Sequence, residues 1–94
     1  MTSSPTLLLR VAAAWPVPGL GLLLLPDAQA STVLHIYPLH TALRIVAHRP
    51  DGAPWQATAT VEEVAHGDAR QYGLLVTIDE ADAAPAGTEV WLAE

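Results

Sequence analysis

Four histidines, His35, His40, His48 and His66, are the side chains here with the widest range of chemistry open to them. A zinc centre needs three or four imidazole, thiolate or carboxylate donors converging at about 2.0–2.3 Å. Its usual sequence signal is a pair of histidines four apart on one helix or a tight Cys/His cluster. No two of these histidines have that spacing, the chain has no cysteine, and each lies on or beside a different extended segment. They read as exposed or half-buried strand and loop residues, although folding could still bring His35 and His48 together on neighbouring strands. Glu62 and Glu63, with His66 and Asp68 nearby, form a dense titratable group of the kind acid–base catalysis uses, but a solvated hairpin end has the same composition. Ser3, Ser4 and Ser31 lack the strand-to-helix glycine elbow that activates a serine nucleophile. The missing cysteines exclude a disulfide framework, a thiolate nucleophile and a CxxC redox pair, and without lysine or a GxxxxGK[ST] run there is no phosphate-binding loop. The expectation is a chain without catalytic residues, metal or cofactor, and not an enzyme.

Aromatic residues are the better candidates for recognition. Trp15, Trp55 and Trp91 each fall on an extended segment, and Trp55 belongs to an alternating apolar face that points it toward a core. Trp15 directly precedes a Pro/Gly turn, which places it at a rim with Leu20. Tyr37 shares a face with His35 and, with His35 and His48, would supply the polar groups of any apolar pocket. The candidate binding residues are therefore Trp15, Leu20, Tyr37 and His66.

The elements that must hold these residues are short. Ninety-four residues suffice for one modest core, with the ordered part spanning about 7–92. Hydrophobic residues make up 51% and charged residues 15%; four arginines face ten acids, for a net charge of -6. Phosphate neutralisation needs clustered cations, so nucleic acid is an improbable partner. The apolar run Leu22–Leu25 falls far short of the roughly 20 residues that span a bilayer, and no basic head precedes Leu7-Leu8-Leu9, so the expected setting is cytoplasmic, without membrane or leader.

Leu7, Leu9, Val11, Ala13 and Trp15 share one face of a first strand if the period is two. Pro16-Val17-Pro18-Gly19-Leu20-Gly21 turns the chain into Leu22–Leu25, which Pro26 ends. Thr32 to Tyr37 reads as an edge or bulged strand interrupted by Pro38, and Thr41 to Arg49 as a strand with Leu43 and Ile45 inward. Beyond the Pro50-Asp51-Gly52 turn, Trp55 to Glu63 alternates most cleanly, with Trp55, Ala57, Ala59 and Val61 on one face. A polar loop over Ala65 to Gln71 joins it to Tyr72–Ile78, expected to pair with it. Asp79 to Ala84 has the makings of one helical turn capped by Asp79, and Glu89–Leu92 closes the chain. The fold class is all-β, with six or seven mainly antiparallel strands. With no long helix to cover a sheet, they bury their apolar faces as a small closed or partly open barrel, ahead of a compact sandwich.

The order of these signals, from the Val11/Trp15 strand through Pro16–Gly21, Leu22–Leu25, Pro50-Asp51-Gly52, Trp55–Glu63 and Gly73-Leu74-Leu75-Val76 to Pro85-Ala86-Gly87-Thr88-Glu89-Val90, resembles the second-domain β-barrel of elongation factor Tu-like translational GTPases. The resemblance spans Leu7 to Leu92. It implies a translation-factor domain 2-like barrel that docks against something, because nucleotide chemistry in that family belongs to a separate domain. Where the family carries a Gly-Arg-Gly-like element, this chain has Gly19-Leu20-Gly21, with leucine in the basic position. The contact with aminoacyl-tRNA or ribosome that the resemblance implies has lost its cation.

The functional expectation is a non-catalytic protein-binding or accessory module acting on a protein partner or on a second copy of itself. Two alternatives stand beside it. An acidic immunity protein would cover a basic toxin, and a small-molecule-binding barrel would use Tyr37, His35 and His48.

Overall fold

The computed structural model of the chain describes residues 6–26, 33–66, 69–78 and 80–93. Alternation and turn chemistry generate six strands: β1 (Leu7–Val17), β2 (Gly21–Pro26), β3 (Ala42–His48), β4 (Trp55–His66), β5 (Ala69–Val76) and β6 (Glu89–Leu92). Two 3₁₀ turns, η1 (Val33–Ile36) and η2 (Ala81–Ala83), join them. The strands close into an all-antiparallel barrel in the order β1-β2-β5-β4-β3-β6, with β6 pairing back onto β1. β3, β4 and β5 form a meander and β6 returns to lie beside β3, which is Greek-key connectivity. Closure pairs most of the edges that six short strands would otherwise expose, while β1 beyond Arg10 keeps β2 on one side alone.

The inward faces follow the period-two expectation where the sequence alternates. Leu43, Ile45 and Ala47 of β3 point in, as do Val61 of β4 and Leu74 and Val76 of β5, and all belong to one buried cluster. Leu24 and Leu22 of β2 complete the wall opposite them. Trp55 packs half-buried against this core from one barrel end, where its indole Nε1–H donates to the Ala83 carbonyl at 2.8 Å. That bond ties η2 across the end. Trp55→Phe keeps most of the ring but strands the carbonyl, so we expect a loss of about 1 kcal/mol in urea unfolding. An unchanged midpoint would mean that the bond does not hold η2.

Four expectations are corrected. Thr32 to Tyr37 is not a strand: Val33–Ile36 is the 3₁₀ turn η1, and Thr32 lies outside the described residues. The reason is a period of three. Leu34 is buried and Tyr37 packs against the core, while His35 and Ile36 between them are exposed. The Tyr37 N–H donates to the Leu34 carbonyl at 3.1 Å, as such a turn requires. The strand count among the described residues is therefore six.

The expected loop over Ala65 to Gln71 is mostly ladder, with Val64↔Gln71, Ala65↔Arg70 and His66↔Ala69 paired. Gly67 and Asp68 lie outside the described residues. Polar side chains read as loop because this end of the β4–β5 hairpin has little core to cover, and the ion pair of Arg70 with Glu63 at 3.4 Å crosses the two strands. The expected helical turn is the 3₁₀ turn η2, whose cap position is Glu80, one residue later than expected and without a side-chain cap bond; Asp79 lies outside the described residues.

The fourth correction concerns β1. Its register against β2 shifts between Val11 and Ala13, so Ala12 is an inserted bulge residue. Beyond it the faces exchange: Ala14 packs against the core and Trp15 points outward, off the face it was expected to share with Leu9 and Val11. Pro16, expected in the turn, is the last residue but one of β1, opposite Leu22. A proline fits there because this part of β1 pairs only with β2, its ladder to β6 having ended at Arg10.

Candidate functional site

The β1–β2 hairpin presents the candidate surface. Its tip is a tight turn in which the Leu20 N–H donates to the Val17 carbonyl at 2.9 Å, with Pro18 and Gly19 as the central pair. Gly19 has φ 80°, the left-handed backbone required at the third position of a type II turn, and Pro18 presets the second. Leu20 is thereby held at the tip with 60% of its surface exposed, and Trp15 is 52% exposed five residues earlier. Trp15 is paired with Leu23, and Leu23 with Leu75. Being cross-strand partners, these three side chains point to the same outer face and form an apolar row across three strands.

Of the four candidate binding residues, Trp15 and Leu20 therefore share one hairpin. Tyr37 does not join them. It follows η1 at the opposite end of the barrel, half-buried against the core. His66 is the last residue of β4, and its side chain lies outside the described residues. Leu23 and Leu75 were not among the candidates. Their row with Trp15 depends on the inserted Ala12, which turns Trp15 to their side, a shift that three successive alanines do not announce.

The groups weighed for chemistry are dispersed. His48 points outward from β3, exposed, and pairs in register with Glu89, while His35 lies on η1. The two do not sit on neighbouring strands. The His35 ring stacks on Tyr72 of β5 with centroids 4.3 Å apart and planes 16° from parallel, fastening η1 over the barrel end. Glu62 and Glu63, being consecutive in a strand, point to opposite faces. Glu62 accepts from the Thr60 hydroxyl at 2.9 Å and lies 3.2 Å from His40 Nδ1, whereas Glu63 meets Arg70. Among the described residues, no three His, Cys, Asp or Glu side chains are grouped so as to hold a metal ion. Ser3, Ser4, Ser31 and Asp68 lie outside the described residues.

The barrel interior holds aliphatic side chains, among them Leu9, Leu24, Ile45 and Leu74, all fully buried. Leu34 of η1 closes one end, and Ala83 and Ala84 with Trp55 close the other. The trio expected to converge on a ligand is not assembled. Tyr37 packs on the core, His35 stacks on Tyr72, and His48 faces outward.

Exposed ion pairs contribute little to this arrangement. Arg10–Glu89 at 3.2 Å and the His40 and Arg70 pairs are solvent-facing, and such contacts are each worth roughly 0–1 kcal/mol. The hairpin, by contrast, carries no charged side chain from Val11 to Pro26. No family model matches this chain, and neither a curated protein nor a solved structure does.

Proposed function

We propose that this chain is a non-catalytic docking barrel whose contact surface is the outer face of the β1–β2 hairpin. The observation that carries the reading is the exposure of Trp15 and Leu20, 52% and 60%, next to the outward Leu23 and Leu75. Tryptophan is among the residues enriched at interface hot spots, and apolar neighbours such as these leucines exclude water around it. The closed six-stranded antiparallel barrel also supports a finer reading, a relative of the second domain of elongation factor Tu-like translational GTPases. In that reading Gly19-Leu20-Gly21 keeps the turn of the family's Gly-Arg-Gly-like element, and Leu20 exchanges a phosphate-seeking cation for an apolar contact.

The immunity alternative draws less support. It would place the contact on the acidic remainder of the surface and leave the exposed Trp15 and Leu20 unused.

A photo-crosslinking amino acid placed at Leu20 in living cells tests the docking reading. Strong adducts are expected from position 20 and weak ones from Arg44, an exposed β3 position separated from β2 by β5 and β4. Equal yields from the two positions would defeat the reading.

A further inference from the structure

We infer that the partner of the hairpin face is a second copy of the chain, with Trp15 and Leu20 of one copy buried against the same residues of the other. This inference rests on the docking reading above and names its occupant.

Charge selects the occupant. Two copies each carry -6, and nine of the ten acids lie beyond residue 50. From Val11 to Pro26 there is not one charged side chain. Like-charged molecules repel wherever acidic faces approach, with like pairs in water costing about 1 kcal/mol at 4 Å. The hairpin is the face on which that cost is smallest. A basic partner would gain nothing from it and would be drawn to the acidic remainder of the surface.

The backbone selects how the copies meet. From Ala13 to Val17, β1 has β2 on one side and no strand on the other among the described residues. Growth of the sheet from that edge would need backbone donors, and Pro16 within that stretch removes one of them. Contact therefore runs face to face through the row Trp15, Leu23, Leu75 rather than by ladder extension. A patch meeting its own copy about a two-fold axis closes at the dimer. The other exposed apolar residues, Ile36 and Leu39, lie toward the opposite end of the barrel, and a contact between them and the hairpin would propagate into open chains.

Light scattering of the purified full chain over a range of concentrations tests the inference. The mass is expected to rise from 9.9 kDa toward twice that value. Added salt should strengthen association, because it screens repulsion between two anions. Trp15→Glu and Leu20→Glu should each weaken dimerisation at least tenfold with unchanged circular dichroism, and Ile36→Glu should not. A monomer mass up to about 1 mM, at which affinity is only about 4 kcal/mol, would overturn the inference. So would a dimer indifferent to both hairpin variants, or assemblies that grow past two. A monomer that still yields heterologous adducts from position 20 would overturn self-pairing and leave the docking reading standing. A monomer with no preferential adducts there would remove both.

Discussion

Leu74→Ala is expected to remove about 3–5 kcal/mol of stability, the upper part of the range for a leucine cut back in a closed core. Leu74 is fully buried on β5 and is paired in register with Leu24 on one side and Val61 on the other, both also fully buried. In a closed barrel those neighbours are held by ladders on both flanks, so they cannot collapse into the space left by three lost carbons. Small domains are stable by about 0.05–0.15 kcal/mol per residue, so the variant gives up a large share of the total. A fall in melting temperature of roughly 12–40 °C should accompany it. A loss below about 1 kcal/mol in urea titration would show that the interior is not packed around Leu74.

Gly21→Ala should be comparably damaging for a different reason. Gly21 opens β2 at φ 133°, and a Cβ there would overlap the Val76 carbonyl oxygen of β5. The obstacle is main chain, held in the β2–β5 ladder, so it cannot rotate aside as a side-chain end would. Backbone strain of about 1–3 kcal/mol adds to the displacement of that ladder, and we expect a total of about 3 kcal/mol or more. Gly19→Ala provides the control. It also has positive φ, at 80°, but nothing lies within 4 Å of its Cβ position. Only the left-handed penalty of about 1–2 kcal/mol applies there. Equal losses for the two substitutions would refute the steric argument.

Much of the wall of this barrel is legible in the chain. Trp55-Gln56-Ala57-Thr58-Ala59-Thr60-Val61 alternates so regularly that the face of β4 follows from period two, and Leu43 and Ile45 do the same for β3. Pro26 and Pro50-Asp51-Gly52 end or turn the strands where fixed φ and missing N–H groups demand it. Composition carries further: the absence of cysteine, of lysine and of clustered cations removes whole classes of chemistry before any strand is paired.

The candidate surface was legible only in part. Trp15 and Leu20 were visible as residues beside a turn, but their exposure and their neighbours were not. Ala12, Ala13 and Ala14 differ in nothing that distinguishes inside from outside, so local pattern leaves the register of β1 free. Pairing with β2 and β6 decided it, inserting Ala12 and turning Trp15 to the row with Leu23 and Leu75. Leu34 and Tyr37 are a similar case, since their spacing of three becomes meaningful only where a barrel end needs covering. The sequence by itself determined the charge, the missing chemistry and the faces of the regularly alternating strands, because these depend on side-chain identity and on a period of two. Tertiary structure alone decided which apolar residues face solvent on the hairpin, because a one-residue bulge reverses every side chain after it and is selected by neighbouring strands.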